Sequence, residues 1–88
     1  MLLMGDIISG EFDEHMNEFS LRKVKYFTTE STIRESQLKS LFDYLKKHRN
    51  DTDGQIITLY DQMPIRLSQE EINLFISDLE KVQMLYRQ

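Results

Sequence analysis

A capping signal followed by a helical apolar stripe, within residues 67–86, constrains the fold of this chain most. The Ser68 side chain can accept a hydrogen bond from the backbone N–H of Glu71, whose carboxylate can reach back to Ser68, which is a capping box. Leu67 and Ile72 have the spacing of a hydrophobic staple over this first turn. Apolar residues then recur every three or four positions, which predicts a helix to about Tyr86 with one buried face. That face consists of Ile72, Phe75, Ile76, Leu79, Val82 and Tyr86.

The same reasoning predicts an earlier helix over residues 32–49. Thr32 and Glu35 have the spacing of a second capping box. Basic side chains gather at the far end of this segment, where the helix dipole favours positive charge. Its apolar face consists of Leu38, Leu41, Phe42 and Leu45.

Extended segments are predicted on both sides of the earlier helix. Residues 19–27 mix aromatic, β-branched and basic residues, which predicts a basic edge strand. Residues 28–31 are interpreted as a polar break. After a turn at residues 50–54, residues 55–60 and 65–67 are predicted to pair as a hairpin. The apolar residues expected to share one face of it are Ile57, Leu59, Ile65 and Leu67.

Together these elements predict a small two-layer α+β domain over residues 19–88. The order would be β-α-β-β-α, with both amphipathic helices packed on one face of a short three-stranded sheet. The alternative is a mainly helical pair with extended connectors. Residues 1–18 are acidic, and Gly5 and Gly10 interrupt any long helix. We expect this segment to be an acidic, mobile or loosely packed arm.

The charges are segregated along the chain. Residues 1–18 carry five acidic and no basic side chains, residues 19–49 carry eight basic and three acidic, and residues 50–88 carry three basic and seven acidic. The net charge is −4 at pH 7. The simpler interpretation is that the acidic ends offset the basic middle in the folded chain. The alternative is a basic surface for an acidic partner, with the acidic arm as a competitor.

Cysteine is absent from the 88 residues, which excludes disulfides and thiol chemistry. Residues 1–8 contain no basic side chain, and Asp6 interrupts their apolar run. Neither a signal peptide nor a membrane span is indicated. We therefore expect a cytoplasmic protein that does not contact a membrane.

Motifs typical of enzymes are not found. The sequence has no Ser-His-Asp order, phosphate-binding glycine loop or His-Glu-x-x-His pattern. Residues 51–54 match the middle of a calcium loop, but Arg49 and Tyr60 would stand where that loop needs its acidic first and last ligands. His48 follows two lysines at a helix end, where the dipole explains it without catalysis. We expect no enzymatic activity and no cofactor.

One trio of residues has the spacing of a metal site. Glu11, His15 and Glu18 would lie on one face of a helix and could share a divalent ion. A glycine-flanked, flexible arm is a poor scaffold for such a site, however, and surface exposure explains these residues equally well. We therefore expect no bound metal.

The basic middle of the chain offers one route to a function. If residues 19–27 and the end of the following helix converge, their charges would follow a phosphate backbone while Tyr26 or Tyr44 stacked on a base. The simpler interpretation is that these lysines and arginines are solvated and that the aromatic rings lie in the core. The alternative function is thus a nucleic-acid-binding regulator. Its candidate residues are Arg22, Lys23, Lys25, Lys46, Lys47 and Arg49.

A second apolar face on the last helix offers another route. Leu74 and Leu85 are eleven residues apart, close to three helical turns, so they would share an angle. Such a face is either part of a deeply buried helix or a docking surface. The leading prediction is a non-enzymatic protein-binding module (an adaptor, inhibitor or regulator) that occludes another protein or a second copy of itself, as a homodimer. The predicted contact residues are Leu74, Met84, Leu85 and Met63.

Overall fold

Residues 2–34 form a four-stranded antiparallel sheet in the order β1-β2-β3-β4. The structure is a computed structural model that describes residues 1–59 and 64–87. The described part also contains two helices and a separate two-stranded sheet, which confirms the predicted small α+β fold. The elements are β1 (Leu2–Met4), β2 (Ile8–Asp13), β3 (Glu18–Val24), β4 (Phe27–Arg34), α1 (Glu35–Lys47), β5 (Gln55–Thr58), β6 (Pro64–Leu67) and α2 (Gln69–Gln83).

The segment predicted to be an acidic arm is part of the main sheet. β1 pairs with β2, with Leu3 opposite Gly10, and β2 pairs with β3, with Phe12 opposite Phe19. Ile8 and Phe12 are buried, whereas the acidic residues of β2 lie on the exposed face. An antiparallel sheet accommodates this because one of its faces is free to contact water. The predicted three-stranded sheet was therefore wrong, because four strands and not one precede the first helix, whereas the predicted order of helix, hairpin and helix after them is confirmed.

Strand β3 is the predicted basic strand, but it lies between β2 and β4 and is not an edge strand. Its phenylalanine and leucine side chains are buried, while Arg22 and Lys23 are exposed. The charges are tolerated in a central strand because the outer face of the sheet is solvated.

Residues 28–31 continue β4 and do not break the chain. Thr29, Ser31 and Ile33 alternate toward the interior and are buried. β-branched residues favour this extended form when a neighbouring strand is available to pair with it. Helix α1 therefore begins at Glu35, with Arg34 as its N-cap, and the capping role predicted for residue 32 was wrong.

The capping box predicted for the last helix is present in α2. The Ser68 hydroxyl accepts a hydrogen bond from the Glu71 N–H at 3.1 Å, and the Glu71 carboxylate accepts one from the Ser68 N–H at 2.8 Å. The helix ends at Gln83, one turn earlier than predicted. Every residue of the predicted apolar stripe is buried, including Tyr86 beyond the helix end.

The predicted hairpin is confirmed as β5 and β6, with Ile57 opposite Ile65. Gly54 has a positive φ of 73° in the turn before β5, a conformation that glycine adopts at little cost. Tyr60, at the end of the predicted strand, lies outside the described residues. Buried side chains from both sheets and both helices form one hydrophobic cluster, which fixes the helices against the inner face of the main sheet.

Candidate functional site

The predicted docking face on the last helix is not continuous. Because α2 ends at Gln83, Leu74 and Leu85 do not share a helical angle. Leu85 packs against the hydrophobic core, and Leu74 is half-buried. Met84 is 85 % exposed, and Met63 lies outside the described residues. The three predicted contact residues that the structure describes, Leu74, Met84 and Leu85, therefore do not form one continuous helix face.

The predicted nucleic-acid-binding residues are also dispersed, and several are paired. Arg22 lies 3.6 Å from the Glu11 carboxylate, and Lys25 lies 2.9 Å from the Glu71 carboxylate. Lys46 is 5.2 Å above the centre of the Phe42 ring. Lys23 and Lys47 are exposed.

Arg49 lies on a different side of α2 from Lys25. Its guanidinium donates a hydrogen bond to the Asn73 side chain at 3.3 Å, whereas Lys25 contacts Glu71. Positions 71 and 73 are two residues apart in a helix and therefore point in nearly opposite directions. The two parts of the basic segment do not converge on one face.

An apolar groove of about 310 Å³ lies between helix α1 and strand β5. Leu41 and Tyr44 line it from the helix, and Ile56, Ile57 and Thr58 line it from the strand. The Ile56 side chain is 57 % exposed and adds apolar surface to the groove. Sequence analysis missed this groove. The signal was the adjacent pair of isoleucines, since strict alternation places one of them on the outer face.

The register in which β5 pairs with β6 shows in which direction the backbone N–H and C=O groups of β5 point. Thr58 lies opposite Pro64, which has no N–H and cannot exchange a pair of hydrogen bonds across the ladder. Hydrogen-bonded and non-hydrogen-bonded pairs alternate in an antiparallel ladder, so Ile57 and Ile65 form a hydrogen-bonded pair. The N–H and C=O groups of Ile56 and Thr58 therefore point away from β6.

The other edge of the hairpin agrees with this assignment. The carbonyl oxygen of Arg66, opposite Ile56, is directed away from β5 and accepts a hydrogen bond from the Lys25 ammonium at 3.1 Å. Strand β6 is thus contacted at its outer edge by the β3–β4 turn. In the described residues, β5 pairs with β6 alone, so its outer edge faces the groove unpaired.

A cluster of polar side chains closes one end of the groove. The Tyr44 hydroxyl donates to the side-chain oxygen Oε1 of Gln55 at 2.7 Å, and the side-chain Nε2 of Gln55 donates to the Asp51 carboxylate at 2.7 Å. His48 Nδ1 lies 2.8 Å from the same carboxylate, and its ring packs 4.6 Å from the ring of Tyr44. The hydrogen bond with His48 lowers the pKa of the Asp51 carboxyl, and the hydrogen bond from the Gln55 amide lowers it further. Desolvation of the carboxyl raises the pKa but does not outweigh these two contacts.

This cluster has part of the chemistry of a catalytic site, but among the described residues His48 contacts Asp51 and Tyr44 and no serine, threonine or cysteine side chain. A carboxylate that orients a histidine is common beside reacting groups. Ser40 carries a hydroxyl in the groove, on the same face of α1 as His48. It lies about two helical turns from His48, or about 12 Å along the helix axis. Its hydroxyl donates to the Ser36 carbonyl oxygen at 3.1 Å. The cluster therefore fixes the α1–β5 turn and the end of the groove.

The candidate metal ligands are placed apart from one another. Glu11 pairs with Arg22, and Glu18 pairs with Arg34 at 2.9 Å. The helical spacing that would have aligned them with His15 is lost, because Glu11 and Glu18 belong to strands β2 and β3. Among residues 1–59 and 64–87, no three acidic, histidine or cysteine side chains lie close enough to hold a metal ion.

Comparisons with known proteins give no relative: no family model matches the chain, and neither does any curated protein or solved structure. Neither helix in the described part of the chain has the length and apolar character needed to cross a bilayer.

Proposed function

We propose that this protein is a non-enzymatic protein-binding domain that binds an extended, apolar segment of a partner along the open edge of β5. The observation that carries this proposal is the joining of an unpaired strand edge to an apolar groove. An added strand would take main-chain hydrogen bonds from Ile56 and Thr58 and place alternate side chains between the strand and α1. The domain would act as a regulator, adaptor or inhibitor by occluding that segment.

The free backbone groups at the edge of β5 favour an extended segment over a helix. Neighbouring strands lie about 4.8 Å apart, and a helix needs about 10 Å of width. The outward N–H and C=O groups of Ile56 and Thr58 can pair with an extended backbone, whereas a helix has its backbone groups already bonded and does not offer such partners. Leu41 and Ile57 supply apolar surface for specificity, and Tyr44 supplies a rigid aromatic wall.

This proposal keeps the predicted class of function and moves the contact surface from the last helix to the groove. Nucleic-acid binding by the basic segment remains a prediction with less support, because Lys25 is held by Glu71 and the other basic residues are dispersed. The cytoplasmic location expected from the character of residues 1–8 also remains a prediction.

Selection from a random-peptide phage library tests the proposal with a matched pair of variants. Thr58→Pro removes the outward N–H needed by an added strand but no bond to β6, since residue 58 and Pro64 are a non-hydrogen-bonded pair. Thr58→Val keeps that N–H and serves as the control. We expect the natural chain and Thr58→Val to enrich peptides with alternating apolar residues, and Thr58→Pro to lose them.

Folding is checked first by the urea midpoints of both variants, which should lie close to that of the natural chain. Ile56→Asp is an independent variant whose side chain is already exposed, so it should abolish peptide binding without unfolding the domain. Enrichment of the same peptides by Thr58→Pro and Ile56→Asp would refute binding at the β5 edge. So would amide shifts on peptide binding that map to the end of α2 and leave β5 unchanged.

A further inference from the structure

Strand β1 is an outer strand of the four-stranded sheet, and its backbone orientation follows from three hydrogen bonds. Met1 and Phe12 exchange N–H···O bonds of 3.1 and 2.8 Å, and the Gly5 N–H donates to the Ile8 carbonyl oxygen at 2.8 Å. Hydrogen-bonded positions alternate along an antiparallel strand, so positions 1, 3 and 5 face β2. The N–H and C=O groups of Leu2 and Met4 therefore point outward, along an edge with which no other strand of the described residues pairs.

The side chains of β1 are unusual for an open edge. Leu2 is 74 % and Met4 is 81 % exposed, and both lie on the outer face of the sheet. Leu3 points to the other face and packs partly against the core. Natural edge strands are commonly protected by being short or by a lysine, a proline or a bulge, because an uncharged edge invites pairing with another strand, and β1 is short, with three residues. It carries no lysine, proline or bulge.

We propose that β1 pairs antiparallel with β1 of a second copy of this chain, which joins two four-stranded sheets into one of eight strands. This surface is independent of the β5 groove and belongs to the other sheet. The outward backbone groups match when Leu2 of each copy lies opposite Met4 of the other, as two hydrogen-bonded pairs. Leu3 then faces Leu3 of the second copy across the two-fold axis, as a non-hydrogen-bonded pair.

Side-chain polarity is self-complementary in this register. Leu2 lies opposite Glu11 within the sheet, and Met4 lies opposite Ser9. Across the new junction, one row of neighbouring side chains would begin with Glu11 and Leu2 of the first copy. It would continue with Met4 and then Ser9 of the second copy. The two Glu11 carboxylates thus lie at opposite ends of different rows, and each remains beside its own Arg22. Apolar side chains meet at the centre, with no like charges opposed.

The area buried between the two β1 strands determines how strong the association should be. Pairing of two three-residue strands falls well below the roughly 1,000 Å² of a stable interface. The association should therefore be weak and concentration-dependent, as is typical of an isologous two-fold contact between small domains.

Disulfide trapping gives a sharp test because the chain has no cysteine of its own. A non-hydrogen-bonded antiparallel pair brings its Cα atoms to about 4.5 Å, within the range of a disulfide. Leu3→Cys should therefore form a covalent dimer readily under mild oxidation. Leu2→Cys is the matched control, because in the proposed register residue 2 of one copy lies diagonally, about 7–8 Å, from residue 2 of the other.

Exposure alone predicts the opposite order, since Leu2 is far more exposed than Leu3. We expect Leu3→Cys to cross-link about tenfold faster than Leu2→Cys, and a mixture of Leu2→Cys and Met4→Cys to form mainly the mixed dimer. Faster cross-linking of Leu2→Cys, or statistical mixing of the second pair, would overturn the proposal.

A measurement without cysteine guards against loss of folding in those variants. Met4→Pro removes one outward N–H of β1, while Met4→Val keeps it. With rising concentration, the natural chain and Met4→Val should show amide shifts confined to β1 and its neighbours, and Met4→Pro should show none. A natural chain that stays monomeric by sedimentation, with invariant β1 amides up to about millimolar concentration, refutes the pairing.

Discussion

The carboxylate of Asp78 occupies the space that a side chain at Gly5 would fill. Asp78 is fully buried in α2 and accepts hydrogen bonds from three consecutive backbone N–H groups of the β1–β2 turn. The donors are Asp6 at 2.9 Å, Ile7 at 2.8 Å and Ile8 at 3.0 Å. One side chain thus fastens the last helix to the first turn, more than 70 residues away in sequence.

Replacing this carboxylate should be costly. In Asp78→Asn one acceptor oxygen becomes an NH₂ donor that faces backbone donors, so we expect a loss of about 2–4 kcal/mol in the free energy of unfolding. Urea denaturation measures this directly. Lys81→Gln is the control, because its half-exposed ammonium is 3.8 Å from the carboxylate and should contribute under about 0.5 kcal/mol. Equal effects of both substitutions would contradict this account.

Gly5 and Asp78 should be energetically coupled. Gly5→Ala alone forces the new Cβ against the carboxyl group and should destabilise the fold by at least about 1 kcal/mol. In an Asp78→Ala background that contact is absent, so the added cost of Gly5→Ala should largely disappear. A double-mutant cycle with purely additive terms would show that the two positions do not interact.

Glu71 should make the stability depend on pH. Partial burial alone would raise the pKa of Glu71, but hydrogen bonds from the Ser68 backbone and the Lys25 ammonium outweigh it and lower the pKa below the ordinary 4.5. The contribution is therefore complete above the unfolded pKa and is lost as pH falls through the folded pKa. We expect Glu71→Gln to cost about 1 kcal/mol near neutral pH.

That difference between Glu71→Gln and the natural chain should shrink as the pH is lowered from about 6 to about 3. Unfolding curves at several pH values measure it. Glu70→Gln, a neighbouring change at an exposed position in the same turn, controls for the loss of charge near the helix dipole. Parallel pH profiles for the natural chain and Glu71→Gln would rule out the linkage.

Lys25 combines a strained backbone with an ion pair. Its φ is +58°, at the first central position of the two-residue turn between β3 and β4, where glycine is preferred. Left-handed backbone costs a non-glycine residue about 1 kcal/mol. We expect Lys25→Gly to be nearly neutral in the natural chain, because relief of strain offsets the lost contacts with the Glu71 carboxylate and the Arg66 carbonyl oxygen.

In a Glu71→Gln background the same Lys25→Gly change should stabilise the fold by about 1 kcal/mol, since less is lost with the ammonium. Lys25→Ala is the control that loses the ion pair and keeps the strain, and it should destabilise both backgrounds. Identical effects of Lys25→Gly in the two backgrounds would disprove the compensation.

Tyr86 should report unfolding at alkaline pH. Its hydroxyl donates to the Ile33 carbonyl oxygen at 2.6 Å, and burial raises the pKa of this phenol well above its ordinary value of 10.0. A raised pKa means that its contribution is complete below the unfolded pKa and is lost as pH rises beyond it. By ultraviolet difference absorbance, one of the four tyrosines should ionise only together with unfolding.

Tyr86→Phe should remove that delayed ionisation. It should also cost about 1–2 kcal/mol, because the buried Ile33 carbonyl loses its side-chain partner. Tyr26→Phe, at a position 79 % exposed, is the matched control and should leave both stability and the delayed step unchanged. Persistence of the delayed step in Tyr86→Phe would show that another tyrosine is responsible.

The candidate site could be predicted from the sequence only in fragments. The turn at residues 50–54 and the hairpin were recognisable, and the paired isoleucines marked an outer apolar position. The groove forms because α1 packs beside β5. That placement depends on contacts across the whole core, so residues close together in sequence do not reveal it. Asp78 lies within the buried stripe between Phe75 and Val82, which was a readable sign of a buried carboxylate, but its partners were not readable.

The sequence by itself determined the local elements: the Ser68–Glu71 capping box, the apolar stripe of α2 and the β5–β6 hairpin. These depend on residues a few positions apart, whose spacing directly sets which groups can meet. Tertiary structure alone decided the fate of the acidic first segment and the true start of α1. The acidic first segment pairs with strands that are its neighbours in sequence, but the turn between β1 and β2 also needs the distant Asp78 carboxylate to accept hydrogen bonds from its backbone N–H groups, and that contact has no local signature.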